Sequence, residues 1–176
     1  AEGVCIQVNK VAMITGATRN TGFAIAHRFA QNGYDVVVTS RDQHNADEAV
    51  LQLKKEFPEN RFLALGMNQG EAQAIHSGFE KIRDAFDHLD VFVGNAADLA
   101  VDCDVFNTSL ERWNQVIATN VTGNFLCAQE SAKLMKDGGS IVFISSVHAN
   151  QSIVGRVAYS TSKAAIGGLM RSLSLE

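Results

Sequence analysis

The fold is decided by the stretch Lys10-Val11-Ala12-Met13-Ile14-Thr15-Gly16-Ala17-Thr18-Arg19-Asn20-Thr21-Gly22. Its first part, residues 10–15, is short and apolar, as buried strands are, and it ends at Gly16. Apolar residues then recur at helical spacing over residues 23–30, so the stretch predicts a strand, a turn and a helix. In such a unit the backbone N–H groups of the turn and the positive end of the helix can receive a pyrophosphate. The alternative is a tight turn without a ligand, because many α/β proteins need small residues there.

The same alternation continues along the chain. Apolar runs predict strands at residues 34–39, 61–65, 90–93 and 140–145, and helical spacing predicts helices at residues 46–57, 72–86, 110–135 and from 159 onward. Pro58 ends the first of these helices, and Gly138-Gly139 closes the long one. Nearly continuous apolar strands that alternate with helices form parallel sheets covered on both faces. We therefore predict an α/β fold of Rossmann type, a doubly wound parallel sheet with helices on both faces, in a single domain over residues 10–176.

Composition narrows the class of partner. A chain of 176 residues, 46% of them apolar, can bury a sizeable core. The formal net charge of −4, with both signs mixed along the chain, offers no basic stripe for nucleic acid and no polybasic segment for a membrane, so a small molecule is the expected partner.

The three cysteines and residues 1–8 give indications of the cellular compartment. Cys5, Cys103 and Cys127 are odd in number and widely spaced, so we expect neither disulfides nor a metal site, and a reducing cytoplasm as the location. Residues 1–8 lack a basic region followed by an apolar run, and we interpret them as a leader or vector-derived segment.

A second stretch carries residues suited to acid–base chemistry: Ser145-Ser146-Val147-His148, followed by Tyr159-Ser160-Thr161-Ser162-Lys163. A tyrosine and a lysine four apart on a helix share one face, so the ammonium can lie near the phenol and lower its pKa. A serine just past an apolar strand could hold a substrate oxygen beside that phenol. Ser146 lies thirteen residues before Tyr159, and Ser145 is its competitor. The alternative is a half-buried aromatic ring and a solvated lysine.

Together these segments resemble the short-chain dehydrogenase/reductase family, and the resemblance covers residues 10–176. The first turn is similar to the family pattern T-G-x-x-x-G-x-G, in which Thr15, Gly16 and Gly22 match and Asn20 stands at the middle glycine. Asparagine tolerates a positive φ better than most residues do.

Two further segments carry the resemblance. The turn Gly94-Asn95-Ala96-Ala97 resembles the family's N-N-A-G, with Gly94 and Ala97 as departures. Asn120 matches the asparagine that supports the active-site lysine through a water and the backbone. The alternative for Asn120 is a polar residue inside a helix that bonds locally.

The resemblance implies hydride transfer between a nicotinamide cofactor and a carbonyl or secondary alcohol. Tyr159 would exchange the proton, Lys163 would hold the nicotinamide ribose, Ser146 would orient the substrate oxygen, and Asn120 would complete the proton relay. The implied cofactor-binding residues are Gly16, Thr18, Arg19, Asn20, Thr21, Gly22, Ser40, Arg41, Asn68, Gln69, Asn95, Ala96, Tyr159 and Lys163. The residues that could line a substrate pocket are His148, Asn150, Gln151 and Ile153. The competing hypothesis is a catalytically silent sensor or scaffold that binds NADP; its mark would be the loss of Tyr159, Lys163 or Ser146.

Charge indicates which cofactor binds. An acidic residue at the end of the second strand would bond the ribose hydroxyls of NAD and repel the extra phosphate of NADP. Ser40 stands at that position, Arg41 follows it, and Arg19 lies in the glycine turn, so two guanidinium groups can converge on a 2′-phosphate. We therefore predict NADP(H) rather than NAD(H). Both arginines could instead be ordinary surface charges, and Asp42 stands one residue late for the NAD role.

The resemblance also implies a homodimer or homotetramer. The long helix and the tyrosine helix would pair with symmetry mates through Phe125, Leu126, Leu134, Ile166, Leu169 and Met170, unless all of these face the protein's own sheet. We expect the natural chain to continue past Glu176 with a further strand beside residues 140–145. Without that segment, an inactive fragment of a dehydrogenase is the expected alternative.

Overall fold

The computed structural model describes residues 9–136 and 138–176. Five parallel strands form one sheet in the order β3-β2-β1-β4-β5. The strands are β1 (Val11–Ile14), β2 (Asp35–Ser40), β3 (Phe62–Gly66), β4 (Val91–Gly94) and β5 (Ser140–Phe143). The predicted α/β fold is therefore confirmed. The segment 1–8, interpreted above as a leader, lies outside the described residues.

Six α-helices within residues 9–136 and 138–176 connect and cover the strands. They are α1 (Asn20–Gln31), α2 (Gln43–Glu56), α3 (Ala72–Phe86), α4 (Leu110–Ile117), α5 (Gly123–Leu134) and α6 (Val157–Leu173). Two helices begin three residues earlier than predicted. In α2 the reason is Asp42, whose carboxylate accepts the N–H of Asn45 and caps the helix.

Both faces of the sheet are buried at the central strands β1 and β2, as strands in a doubly covered sheet require. Side chains alternate across β1, so Val11 and Met13 join one apolar cluster and Ala12 and Ile14 join the other. The first cluster includes residues of α3 and α5, and the second includes residues of α1 and α2. The strand β5 pairs with β4 alone among the described strands, and Val142 in it is exposed.

The predicted long helical stretch over residues 110–135 is confirmed, because α4, a π-turn and α5 follow one another without a break from Leu110 to Leu134. The π-turn is Ala118–Thr122, and α5 ends at Leu134, before the predicted Gly138-Gly139 stop. Two side chains that lie outside the π-turn bond its carbonyl oxygens. Gln69 Nε2 donates to Thr119 O at 3.0 Å, and Asn124 Nδ2 donates to Asn120 O at 2.7 Å. A π-turn inside a helix is often found at a functional site.

The helices of the expected oligomer face are also partly buried within the chain. Leu134 and Ile166 are fully buried, and Leu126 packs against the core beneath α5. These three side chains therefore serve the protein's own core, contrary to the prediction, while Phe125 and Met170 remain exposed. No helix in residues 9–136 and 138–176 is long and apolar enough to cross a membrane.

Candidate active site

An open groove lies at the carboxyl ends of the central strands. The strand order reverses between β1 and β4, and the turns after these two strands meet there, which is where such sheets bind ligands. Twelve predicted cofactor-binding residues line this one groove: Gly16, Thr18, Arg19, Asn20, Thr21, Gly22, Ser40, Arg41, Asn68, Gln69, Asn95 and Ala96. The fold thus gathers residues that are up to eighty positions apart in the sequence.

Backbone geometry explains the glycine turn. Gly16 has φ of 62°, and a Cβ on it would lie 3.0 Å from Ala96 Cα. A Cβ on Gly22 would overlap the carbonyl oxygen of Gly16, so the helix start can approach the turn only with glycine there. Asn20, at the family's middle glycine, has φ of 48°, which agrees with the predicted tolerance of asparagine.

The side chain of Asn95 joins the two turns. Its Nδ2 donates to Thr15 O at 2.9 Å and to Gly16 O at 3.1 Å. In return, Thr15 Oγ1 accepts the N–H groups of Asn95 and Ala96 at 3.1 and 3.0 Å. The Nδ2 atom of Asn95 therefore joins the two turns that border the groove, and this atom is not free to bind a ligand.

The end of β2 presents the exposed guanidinium of Arg41. Arg41 and Arg19 are exposed in the groove, and neither forms an ion pair within the described part of the chain. Asp42 caps α2 with its carboxylate, and its own N–H donates to Ser40 Oγ at 3.3 Å. One carboxylate oxygen of Asp42 is therefore engaged at the helix start.

The two residues after β3 use their side chains within the protein. Asn68 Oδ1 accepts the N–H of Gly70 at 3.1 Å, and its Nδ2 donates to Glu71 Oε1 at 2.6 Å. Gln69 is buried and points to the π-turn. Both residues line the groove, yet their side-chain bonds are internal.

Tyr159 and Lys163 lie on one face of α6, as their spacing predicts. Lys163 Nζ is 5.8 Å from the centre of the Tyr159 ring and donates to Ile144 O at 2.7 Å. The two side chains are 8% and 2% exposed respectively, so the interpretation of Lys163 as a solvated charge is wrong. Burial disfavours the charged ammonium and lowers the pKa of Lys163.

Two further basic groups face the ring of Tyr159. The Arg156 guanidinium carbon and the centre of the His148 ring each lie 5.9 Å from the centre of the tyrosine ring. The Nδ1 atom of His148 lies 3.0 Å from Gln151 O. This contact fixes the orientation of the imidazole beside the phenol.

The two candidate serines differ in what they contact. Ser145 Oγ donates to Lys163 O at 3.3 Å, so its hydroxyl joins β5 to α6. Ser146 Oγ accepts the N–H of His148 at 3.2 Å, and its own proton has no acceptor in residues 9–136 and 138–176. Ser146 is therefore bonded to the backbone of the residue whose ring packs against Tyr159.

Asn120 is fully buried at the centre of a hydrogen-bond network that joins three segments. Its Oδ1 accepts the N–H of Asp98 at 2.7 Å, and its Nδ2 donates to Asp98 O and to Ser162 Oγ, both at 2.9 Å. Ser162 Oγ in turn donates to Tyr159 O at 2.7 Å. Asn120 thus connects the loop after β4 to the helix that carries the tyrosine.

The sequence analysis missed Ser162 and Asp98. Asp98 forms a bidentate ion pair with Arg112 of α4, at 2.6 and 2.9 Å, and Arg112 also reaches Asp102 at 3.1 Å. Hydrogen bonds from Arg112 hold the pKa of the Asp98 carboxyl below its ordinary value. Ser162 lies between Tyr159 and Lys163 in the sequence, and this position could have indicated a role for it. Nothing in the sequence indicated that Arg112 is the partner of Asp98.

Other chemistries find little support in the described residues. Burial raises the pKa of the Cys127 thiol to about 12, which leaves it protonated and weakly nucleophilic at neutral pH. No cluster of three His, Cys, Asp or Glu side chains able to hold a metal ion occurs in residues 9–136 and 138–176.

Comparison with known proteins agrees with this geometry. The family model described as short chain dehydrogenase matches residues 10–176. The chain is 31% identical over 170 residues to a 3alpha-hydroxysteroid dehydrogenase of Mediterraneibacter gnavus, covering 96% of this chain and 68% of that one. It is 34% identical over 169 residues to a 3-oxoacyl-(acyl-carrier-protein) reductase of Aquifex aeolicus, covering 95% of this chain and 67% of that one.

A solved structure is similar over the same region. A short chain dehydrogenase from Burkholderia cenocepacia, crystallised in complex with NADP, superimposes with a TM-score of 0.87 at 27% identity. The match covers 94% of this chain and 68% of that one. This chain therefore spans about two thirds of the length of these relatives.

Proposed function

Because the chain belongs to the short-chain dehydrogenase family, a family of oxidoreductases, we propose that it transfers a hydride between NADP(H) and the carbonyl or secondary alcohol of a small molecule. The observation that carries the proposal is the buried pair of Tyr159 and Lys163 on one face of α6, with Ser146 bonded to the histidine that packs on the tyrosine. A silent binding protein would have no need to bury an ammonium beside a phenol, because a buried charge is costly.

Each of the four residues has a distinct role in the proposed reaction. Tyr159 donates a proton to the substrate oxygen in reduction and removes it in oxidation. Lys163 stabilises negative charge that develops on the phenol oxygen, and Ser146 donates a hydrogen bond to the substrate oxygen. Asn120 holds α6 in register through Ser162. The nicotinamide supplies the hydride when the cofactor is bound.

The groove residues fit a dinucleotide with a 2′-phosphate. Gly16 and Gly22 leave room where a Cβ would close the turn, so backbone N–H groups at the start of α1 are open to a pyrophosphate. Arg41 and Arg19 supply donors for the additional phosphate, and one carboxylate oxygen of Asp42 is engaged by its capping bond. The similar structure crystallised with NADP supports the same choice.

The chemistry is tested by Tyr159→Phe. The substitution removes the phenol oxygen and leaves the ring, so we expect turnover of a panel of ketones and aldehydes to collapse while the Kd for NADPH stays within a few-fold of the parent value. Turnover is followed by NADPH absorbance, and binding by NADPH fluorescence. An active parent whose Phe variant kept most of its rate would contradict the proposal. A parent that binds NADPH and turns over no panel member would favour the silent sensor.

Cofactor choice is tested by Arg41→Ala. A charge-assisted hydrogen bond contributes about 1.5–3 kcal/mol, so the parent should bind NADPH more tightly than NADH by roughly that margin. The variant should lose most of this preference and keep its affinity for NADH. Equal parental affinities for the two cofactors, measured by titration at moderate salt, would refute the assignment.

The same proposal extends to assembly and location. We infer a homodimer or homotetramer, because Phe125 of α5 and Met170 of α6 remain exposed on the helices that pair in this family. We infer a cytoplasmic location from the buried free thiols of Cys103 and Cys127, which suit a reducing compartment.

A further inference from the structure

Gly94 departs from the family pattern, and the structure contains a side chain that accounts for the departure. A Cβ placed on Gly94 would overlap Oδ1 of Asn124, which reaches from α5 toward the end of β4. The space that an asparagine at position 94 would enter is therefore occupied by the amide of Asn124. The two positions are complementary: position 94 has no side chain, and position 124 supplies an amide.

Burial of the Asn124 amide lowers the stability of the folded protein. The residue is 1% exposed, and its Oδ1 has no hydrogen-bond partner within the described part of the chain. Leaving a buried acceptor unpaired opposes folding, so an apolar side chain would satisfy this position better. The one bond that the amide does form, 2.7 Å from Nδ2 to Asn120 O, gives the residue a role.

We propose that Asn124 is a positioning residue that holds the main-chain carbonyl of Asn120, and that Gly94 admits its side chain; the proposal rests on the role for Asn120 proposed above. The bond fixes the backbone of Asn120 within the π-turn. Asn120 then presents its side chain to Asp98 and Ser162, and through Ser162 to the backbone of Tyr159. Loss of the Asn124 donor lets the π-turn relax and shifts Tyr159 relative to the groove.

Kinetics test this role in the active protein. We expect Asn124→Ala to lower kcat about tenfold or more, because small displacements of a catalytic group cost rate steeply. The Kd for NADPH should stay within about twofold, because Asn124 lies outside the groove lining. Gln129→Ala removes an exposed amide from the same helix and should retain the parental kcat. The proposal would be overturned if Asn124→Ala kept the parental kcat. It would also be overturned if kcat, NADPH affinity and melting temperature all fell together, because that would indicate general destabilisation.

A second measurement is independent of turnover, so a failed proposed function does not hide the result. We expect amide hydrogen exchange over residues 117–126 to accelerate in Asn124→Ala and to stay at the parental rate in Gln129→Ala. Gly94→Ala should lower the melting temperature clearly in the parent and less in the Asn124→Ala background, because the overlap with Oδ1 is then gone and only the 2.9 Å approach to Phe143 Cδ1 remains. Unchanged exchange, or an equal effect of Gly94→Ala in both backgrounds, would refute the proposal even for an inactive parent.

Discussion

At the scale of single residues, the ammonium of Lys163 is buried at a cost, because desolvation disfavours its charge. It is almost fully buried, its one described partner is Ile144 O, and burial lowers its pKa below the ordinary value of 10.5. The unfolded chain therefore binds this proton more tightly than the folded protein does. Protonation of Lys163 opposes folding, and stability rises as the pH rises from the folded-state pKa toward 10.5.

The direction of this pH dependence gives a prediction for Lys163→Met. The free energy of unfolding of the parent, relative to that of the variant, should increase between pH 7 and a pH near 10, because only the parent carries the titrating ammonium. Urea denaturation of both proteins at several pH values measures the difference, and groups common to both cancel. A difference that stayed constant or fell with rising pH would show that the folded protein does not disfavour the charged lysine.

Some residues of the site could be predicted from the sequence, and others could not. Gly16, Asn20 and the Tyr159–Lys163 pair follow from local rules, namely positive φ and helical spacing, and the structure agrees with each. The contacts of Asp98, Asn124 and Ser162 depend on side chains from different segments. Such contacts have no local pattern, so only the tertiary structure reveals them.

At the scale of elements, periodicity located nearly every strand and helix, including the long helical stretch of residues 110–134. It did not show the π-turn within that stretch, because a π-turn is a rare, single-turn feature inside an α-helix and helical spacing alone does not indicate it. The causes of the turn are Gln69 and Asn124, which lie outside it, and the small size of Gly123. A Cβ on Gly123 would overlap the carbonyl oxygen of Gln69.

The bond between the π-turn and α6 yields the prediction at this scale. Ser162→Ala removes an acceptor of Asn120 Nδ2 and should lower the free energy of unfolding by about 1–3 kcal/mol, because it leaves a buried N–H without its partner. Turnover should fall further than this loss explains, with NADPH affinity retained, because the register of Tyr159 is affected. Thr161→Ala, the exposed neighbour on α6, serves as the control. Equal turnover in the two variants would mean that the Asn120–Ser162 bond does not position the tyrosine.

At the scale of the whole molecule, the doubly covered sheet was predictable because each strand is apolar on both faces, as β1 shows with four fully buried residues. The surface was harder to predict. Leu134 and Ile166 were expected on an outer face and are part of the core, because helical spacing alone does not say which side of an apolar helix meets the sheet.

The last prediction concerns assembly through the two residues that stay exposed. Phe125 is 40% exposed on α5 and Met170 is 49% exposed on α6, and large apolar groups left in water favour association. We expect light scattering to report a homodimer or homotetramer at micromolar concentration, and Phe125→Asp to shift the mass toward the monomer, because a carboxylate at an apolar contact is costly to bury. Leu51→Asp, an exposed apolar residue on α2, provides the control and should leave the mass unchanged. A monomeric parent would refute the assembly, and equal masses for the Phe125 variant and the parent would move the contact away from α5.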